Sequence, residues 1–170
     1  FISIGRLHHR KGYAELMRVH KRLLDENLMH SIAVIGGGNE MENLKNQAKE
    51  LGVEKTFLLL DSQKNPWPYV KAADYFVLPS KSESYPLTIG EVMGLHKPII
   101  STNVGGIPEI VENLGMLVPA GDVSALKNAM QSMLDMGKEK QQEMGENLHQ
   151  RLLENFTVQK FQEGYRNLIK

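Results

Sequence analysis

Several short stretches of this chain hold residue types and spacings that suit binding of a phosphorylated ligand. The stretch Gly5-Arg6-Leu7-His8-His9-Arg10-Lys11-Gly12 gathers three fixed cations and two His residues between glycines. Glycines let a backbone turn sharply, and Arg6 and Lys11 can clamp phosphate oxygens. The same loop also reads as a solvated basic turn. Glu83 and Glu91 flank Tyr85-Pro86-Leu87-Thr88, where Pro86 suits the first turn of a helix because its missing N–H costs nothing there. Glu91 falls one turn after Thr88 on the same helix face. Helical side chains lean toward the N-terminus, so Glu91 is aimed back at that end. Two carboxylates beside amides that favour an anion make sense if they accept hydrogen bonds from sugar hydroxyls. The plainer alternative is a dipole partner at Glu83 and a solvated Glu91.

Two glycine-rich turns add to this. Gly36-Gly37-Gly38 and Gly105-Gly106 imply close approach of the backbone to something, either a ligand or a tight turn into the next helix. The first is not a dinucleotide fingerprint: that motif needs Gly where Met41 stands, and it belongs after the first strand. Glu109 reads as a helix-dipole partner. No Walker phosphate loop occurs, nor any Asp-X-Asp, His-Glu-X-X-His or Ser/His/Asp pattern. A metal-assisted phosphate mechanism therefore lacks its usual ligands, and no metal site is expected. His20 lies at a helical core spacing. His30, His96 and His149 show no partner pattern and read as structural or surface residues.

These loops need elements to hold them. Apolar, largely β-branched runs predict strands at Phe1–Ile4, Ser31–Ile35, Thr56–Leu60, Tyr75–Leu78, Pro98–Ser101 and Met116–Val118. Helical spacing links Tyr13, Leu16, Met17, His20, Leu23 and Leu24, and again Met41, Leu44, Ala48 and Leu51. Strands separated by helix-length segments predict an α/β fold: a Rossmann-like, doubly wound parallel sheet of about six strands with helices on both faces. After Gly121-Asp122 no strand signal remains, and a helical C-terminal tail is expected. Leu126, Ala129, Met130, Met133 and Leu134 mark one helix. A polar helix follows over Lys138–Glu154. Val158, Phe161, Tyr165, Leu168 and Ile169 mark a third. The nine Met residues read mostly as core fillers.

A length of 170 residues fits one domain, large enough to bury about 70% of the surface its unfolded chain exposes. With 20 basic and 20 acidic residues the formal net charge is zero, which argues against nucleic acid as a partner. No apolar run approaches the ~18 residues of a membrane span. The absence of Cys removes disulfides, thiol nucleophiles and Cys-ligated zinc. Without a targeting segment the composition fits the cytosol. A start at Phe1, directly in a strand, reads as a domain taken from a longer protein.

The ordered set of motifs carries a resemblance. Gly5-Arg6-Leu7 and Lys11-Gly12, Gly36-Gly37-Gly38, Ala73-Asp74 with Pro79-Ser80, Glu83-Ser84-Tyr85-Pro86-Leu87 with Glu91 seven residues beyond Glu83, Lys97 to Thr102, and Gly105-Gly106-Ile107-Pro108-Glu109 follow one another in this order. Together they resemble the C-terminal, donor-binding half of a family-four retaining glycosyltransferase with the GT-B fold, over essentially the whole chain. The stretch Asn65-Pro66-Trp67-Pro68-Tyr69 resembles bacterial capsule, exopolysaccharide and lipopolysaccharide enzymes.

The resemblance implies roles. Arg6 and Lys11 would bind the nucleotide diphosphate and stabilise the departing charge, and Glu83 would contact donor-sugar hydroxyls. Glu91 would accept hydrogen bonds from ribose. Tyr85 and the amides of Leu87 and Thr88 would lie at the donor, the amides facing the distal phosphate. Gly5, Gly36, Gly37 and Gly38, with Ser62 to Asn65, would line the nucleotide. It implies no cofactor and a nucleotide-diphosphate sugar as donor, a UDP-sugar ahead of a GDP-sugar. The acceptor would be a glycan or lipid-linked molecule, bound by an N-terminal domain not in this chain, and the isolated domain would turn over very slowly. The full-length protein is expected in the cytoplasm, with peripheral association at the inner membrane face compatible with this class.

Four positions depart from the pattern. Ser84 and Pro86 stand where Gly is common, Asp61 stands where Gly is common after the third strand, and Gly94 replaces a frequent Ala at about 1 kcal/mol in helix propensity. Two other readings stay open: a degenerate nucleotide-binding or scaffold module, and a nucleotide-sugar epimerase on the same fold.

Overall fold

A computed structural model describes residues 1–160 together with Gln162 and Arg166. Six strands form one parallel sheet: β1 (Ile2–Ile4), β2 (Ile32–Ile35), β3 (Phe57–Leu60), β4 (Phe76–Leu78), β5 (Ile99–Thr102) and β6 (Met116–Val118), in the order β3-β2-β1-β4-β5-β6. The six expected strands are all present, each within a residue or so of its predicted ends. The helices are α1 (Tyr13–Asp25), α2 (Met41–Leu51), α3 (Trp67–Ala72), α4 (Leu87–Met93), α5 (Ile107–Val111), α6 (Val123–Asp135) and α7 (Lys138–Asn155).

The helices divide between the two faces of the sheet. One core cluster joins Leu16, Met17 and Leu23 of α1 with Leu44 of α2 and Met130 and Met133 of α6. The other joins Val70 of α3, Ile89 and Val92 of α4, Ile110 of α5 and Leu148 of α7. The central strands are buried on both faces, which is why they read as unbroken apolar runs. The order in which strands are added reverses between β1 and β4, which pair in parallel. The helices that follow these neighbours, α1 and α4, pack on opposite faces, and the carboxyl edge between them is the crevice position where ligands of open α/β sheets bind.

Local signals account for most helix ends. Asp122 caps α6 through a 2.8 Å bond to the Ala125 amide. The polar helix expected to Glu154 is α7, which ends at Asn155. Pro86 differs by one position from its predicted place: it is the N-cap of α4, in extended conformation, and the first turn begins at Leu87. Gly94 is the C-cap of α4, so the helix-interior cost read from its sequence position does not apply. Short α3 gave no apolar period in the sequence, since Val70 is its one buried residue. Of the expected last helix, Phe161, Tyr165, Leu168 and Ile169 lie outside the described residues.

His30, His96 and His149 are structural or surface residues as expected, and the structure adds partners that their spacing does not show. His30 is paired: its Nε2 lies 2.8 Å from His20 Nδ1 and its Nδ1 lies 2.7 Å from the Leu28 carbonyl oxygen. His96 and His149 are stacked with ring centroids 3.7 Å apart, and His96 Nδ1 meets Glu146 at 2.9 Å. All but the His30–Leu28 bond join separate elements, so local spacing could not announce them.

Candidate functional site

The crevice is built by two loops fastened to each other. The Lys81 amide donates to the Arg10 carbonyl at 2.7 Å. Gly12 sits at φ +71, and a Cβ there would stand 2.0 Å from the Pro79 carbonyl oxygen. Only glycine fits both the left-handed conformation and that approach. Fastening these loops carries Lys11 to Glu83, 72 residues away in sequence. Lys11 Nζ donates to Glu83 Oε1 at 2.5 Å, and Ser80 Oγ donates to the same oxygen at 2.6 Å. The two charged side chains are 23% and 11% exposed, so the pair is shielded yet open to the crevice. Arg6, on the same loop as Lys11, is exposed and forms no ion pair among the described residues.

The glycine turns approach neighbouring chain. A Cβ on Gly36 would stand 2.0 Å from the Gly5 carbonyl oxygen, and one on Gly38 would stand 2.2 Å from that of Leu7. These approaches let the Leu7 amide reach Gly37 and the Glu40 amide reach Leu7, which fastens the β2 loop to the β1 loop. Gly37 lies beside Ser62 of the loop after β3, where residues 61–65 are exposed. At Gly105, φ is +55 and a Cβ would stand 2.0 Å from the Glu83 carbonyl oxygen. Gly106 carries the ring of Tyr85 in the space its own Cβ would need. The second glycine pair is thus a seat for the loop that bears Glu83. Arg151 of α7 holds that seat from behind, donating to the carbonyls of Ile110 and Glu109 and pairing with Glu112 at 2.8 Å.

Glu91 occupies a different place from Glu83. It is exposed on α4 and lines a cavity of about 490 Å³ with Tyr85, Leu87, Gly90, Phe156 and Lys160 among its walls. Partial burial raises its pKa above the usual carboxylate value. Leu87 is 76% exposed at the mouth of this cavity. Thr88 follows it in the first turn of α4, where Pro86 supplies no side-chain cap and the leading amides lack intrahelical partners. No hydrogen bond links Glu83 with Glu91.

Two buried residues of the crevice were not singled out from sequence. Ser80 is fully buried beneath Glu83, and the signal for it was a Ser three residues before a Glu in a loop. Tyr13 opens α1 with its hydroxyl under Gly5: a Cβ on Gly5 would stand 2.8 Å from Tyr13 Oη and 3.5 Å from Lys11 Cε. Burial pushes the Tyr13 phenol up to about 12, eased by nearby Ser3 and reinforced by Glu83. Tyr13 Oη and Ser3 Oγ face each other and neither has a further hydrogen-bond partner. Among the described residues no three His, Asp or Glu side chains gather as a metal site, and no helix is long and apolar enough to cross a membrane.

Comparison with known proteins identifies the architecture. The family model for glycosyl transferases group 1 matches residues 1–151. An Escherichia coli UDP-Gal:alpha-D-GlcNAc-diphosphoundecaprenol alpha-1,3-galactosyltransferase is 31% identical over 140 residues, covering 79% of this chain and 36% of its own. The C-terminal domain of the group 1 family protein LpcC from Francisella tularensis superposes with a TM-score of 0.79 at 21% identity, covering 92% of this chain and 86% of that one. Anabaena Alr3699/HepE, solved in complex with UDP, gives 0.85 at 22% identity, covering 98% and 48%. The chain spans from a quarter to about a third of the length of the curated relatives it matches. The match across residues 1–151, on a six-stranded parallel sheet of this topology, places the chain in the glycosyl transferases group 1 family, as a domain of GT-B type.

Proposed function

We propose that the crevice between the β1 and β4 loops binds a nucleotide-diphosphate sugar, and that the enzyme carrying this domain transfers the sugar with retention of anomeric configuration. The observation that carries this is the pairing of Lys11 with Glu83 at the sheet's reversal point. A cation and a carboxylate held side by side offer complementary partners for a diphosphate and for a sugar hydroxyl. UDP is favoured as the nucleotide, since the Anabaena neighbour was solved with UDP and the Escherichia coli relative is named for UDP-Gal. The latter name also supports a glycan or lipid-linked acceptor.

In this reading Lys11 exchanges Glu83 for the diphosphate on binding, and Arg6 joins it from the exposed loop. Positive charge placed where negative charge grows on the departing diphosphate lowers the barrier. Glu83, released by Lys11, accepts from donor-sugar hydroxyls. Leu87 and Thr88 amides face the distal phosphate, Glu91 takes the ribose hydroxyls, and the Gly36-Gly37-Gly38 turn with Ser62 to Asn65 lines the base. The acceptor site lies on a domain outside these residues.

The test is calorimetric titration of the intact protein with UDP, GDP and ADP. One nucleotide is expected to bind, with affinity falling as ionic strength rises because Arg6 is exposed. Absence of binding by all three would overturn the proposal.

A further inference from the structure

Glu83 accepts two hydrogen bonds, and both arrive at Oε1: one from Lys11 Nζ at 2.5 Å, the other from Ser80 Oγ at 2.6 Å. Among the described residues Oε2 accepts none. The two donors differ in kind. Lys11 sits on a four-carbon stem, partly exposed, and is the group a diphosphate would attract. Ser80 is fully buried and fixed from its other side, because Thr102 Oγ1 donates to the Ser80 carbonyl oxygen at 2.6 Å. Thr102 is itself buried at the end of β5, so the tether reaches into the sheet.

We infer that Ser80 is a positioning residue for Glu83: it holds Oε1 when Lys11 turns to the diphosphate, so that Oε2 stays presented to the donor sugar. The inference rests on the assignment of Glu83 to the sugar made above. In the ligand-free protein Glu83 is held twice, and loss of Ser80 leaves Lys11 in place. In the donor complex Ser80 is the one remaining donor to Oε1, and without it the carboxylate turns freely. The effect of removing the Ser80 hydroxyl therefore falls on the sugar-dependent part of affinity and spares the nucleotide-dependent part. A hydroxyl that merely stiffened the loop would weaken both together.

The experiment compares dissociation constants of the intact protein for UDP and for UDP-glucose, UDP-galactose and UDP-N-acetylglucosamine. If GDP is the nucleotide that binds, GDP and its sugar conjugates are used instead. The wild type is expected to bind at least one sugar nucleotide more tightly than the free nucleotide. Ser80→Ala is expected to hold the free nucleotide within about twofold and to lose roughly tenfold on that sugar nucleotide, equivalent to about 1.4 kcal/mol. In a Glu83→Gln background the same substitution should cost little more, since its effect passes through Glu83. Ser80→Cys keeps the shape with a weaker donor and should fall between. Thr102→Val removes the outer tether while leaving the Ser80 hydroxyl, and should keep most of the sugar increment. Equal loss on free and sugar nucleotide, an unchanged increment in Ser80→Ala, or full additivity with Glu83→Gln would overturn the inference. A wild type that gains nothing from any sugar would instead remove the assignment of Glu83, and the inference with it.

Discussion

At the amino ends of β1, β2 and β3, buried His20 uses both ring nitrogens: Nδ1 meets His30 at 2.8 Å and Nε2 meets Thr56 Oγ1 at 2.9 Å. His30 completes its own second bond to the Leu28 carbonyl. Toward the other end of the same sheet, Tyr13 and Ser3 bury hydroxyls that have no partner beyond each other, and Glu83 takes both its bonds, from Lys11 and Ser80, on one oxygen. Both ends bury polar groups in one sheet, yet the first end closes its hydrogen bonds and the second does not. An unmade buried bond costs about 1–3 kcal/mol, so the carboxyl end holds its polar groups less fully satisfied than the amino end, whose completed bonds act as structure. Polar residue types alone do not separate the two, whereas the completeness of their bonding does.

Four tests probe this contrast, the largest effect first. Gly12→Ala would place a Cβ 2.0 Å from the Pro79 backbone and is expected to cost about 3 kcal/mol or more, separating the loops that join Lys11 to Glu83. Gly52→Ala shares a positive φ but meets nothing within 4 Å, and should cost only about 1 kcal/mol. Equal denaturant midpoints for the two variants would contradict the loop-fastening role.

Acid tests the closed end. Burial, then the neighbouring His30, lowers the His20 pKa to about 3, whereas an unfolded His titrates near 6.5. The unfolded chain thus takes up the proton first as pH falls. Stability is full above about 6.5 and declines toward pH 3, by about 1.4 kcal/mol per unit for one such group, or roughly 2 kcal/mol by pH 5. Chemical denaturation at pH 7 and pH 5 should show this loss in the wild type and a smaller one in His20→Gln. The same slope in both would show that His20 does not carry it.

Glu91→Ala is expected to weaken nucleotide binding by about 1–3 kcal/mol while changing stability by less than about 0.5 kcal/mol. Unchanged affinity in the folded variant would end its ribose assignment. Tyr13→Phe has the smallest effect. Removing a buried hydroxyl whose one neighbour is the Ser3 hydroxyl should leave thermal stability within about 1 kcal/mol of the wild type. A larger loss would show that Tyr13 and Ser3 make a full hydrogen bond and would remove the contrast between the two ends.

Much of the fold was legible because parallel strands buried on both faces are short apolar runs, and because the buried residues of α1 fall at helical spacing. Val19, also buried in α1, lay outside the periodic set, since a helix held between a sheet and two other helices buries more than one stripe. Both glycine pairs were visible, but their meaning was not. Gly36 and Gly105 lack a Cβ to admit the carbonyls of Gly5 and Glu83, and approach to chain leaves the same mark in sequence as approach to a ligand. Lys11 and Glu83 were each legible as residues suited to phosphate and sugar, whereas their contact depends on the adjacency of β1 and β4. Ser80 was visible in the motif, and only its burial and its bond to Glu83 distinguish it from neighbouring Ser82 and Ser84.

In the proposed donor complex Lys11 leaves Glu83 for the diphosphate. A crystal structure of the intact protein with UDP tests it most directly. The diphosphate is expected in the crevice within hydrogen-bond distance of Lys11 Nζ, with the Lys11–Glu83 pair opened and Ser80 Oγ still on Glu83. A nucleotide bound elsewhere, or a Lys11–Glu83 contact still closed beside the bound diphosphate, would contradict it.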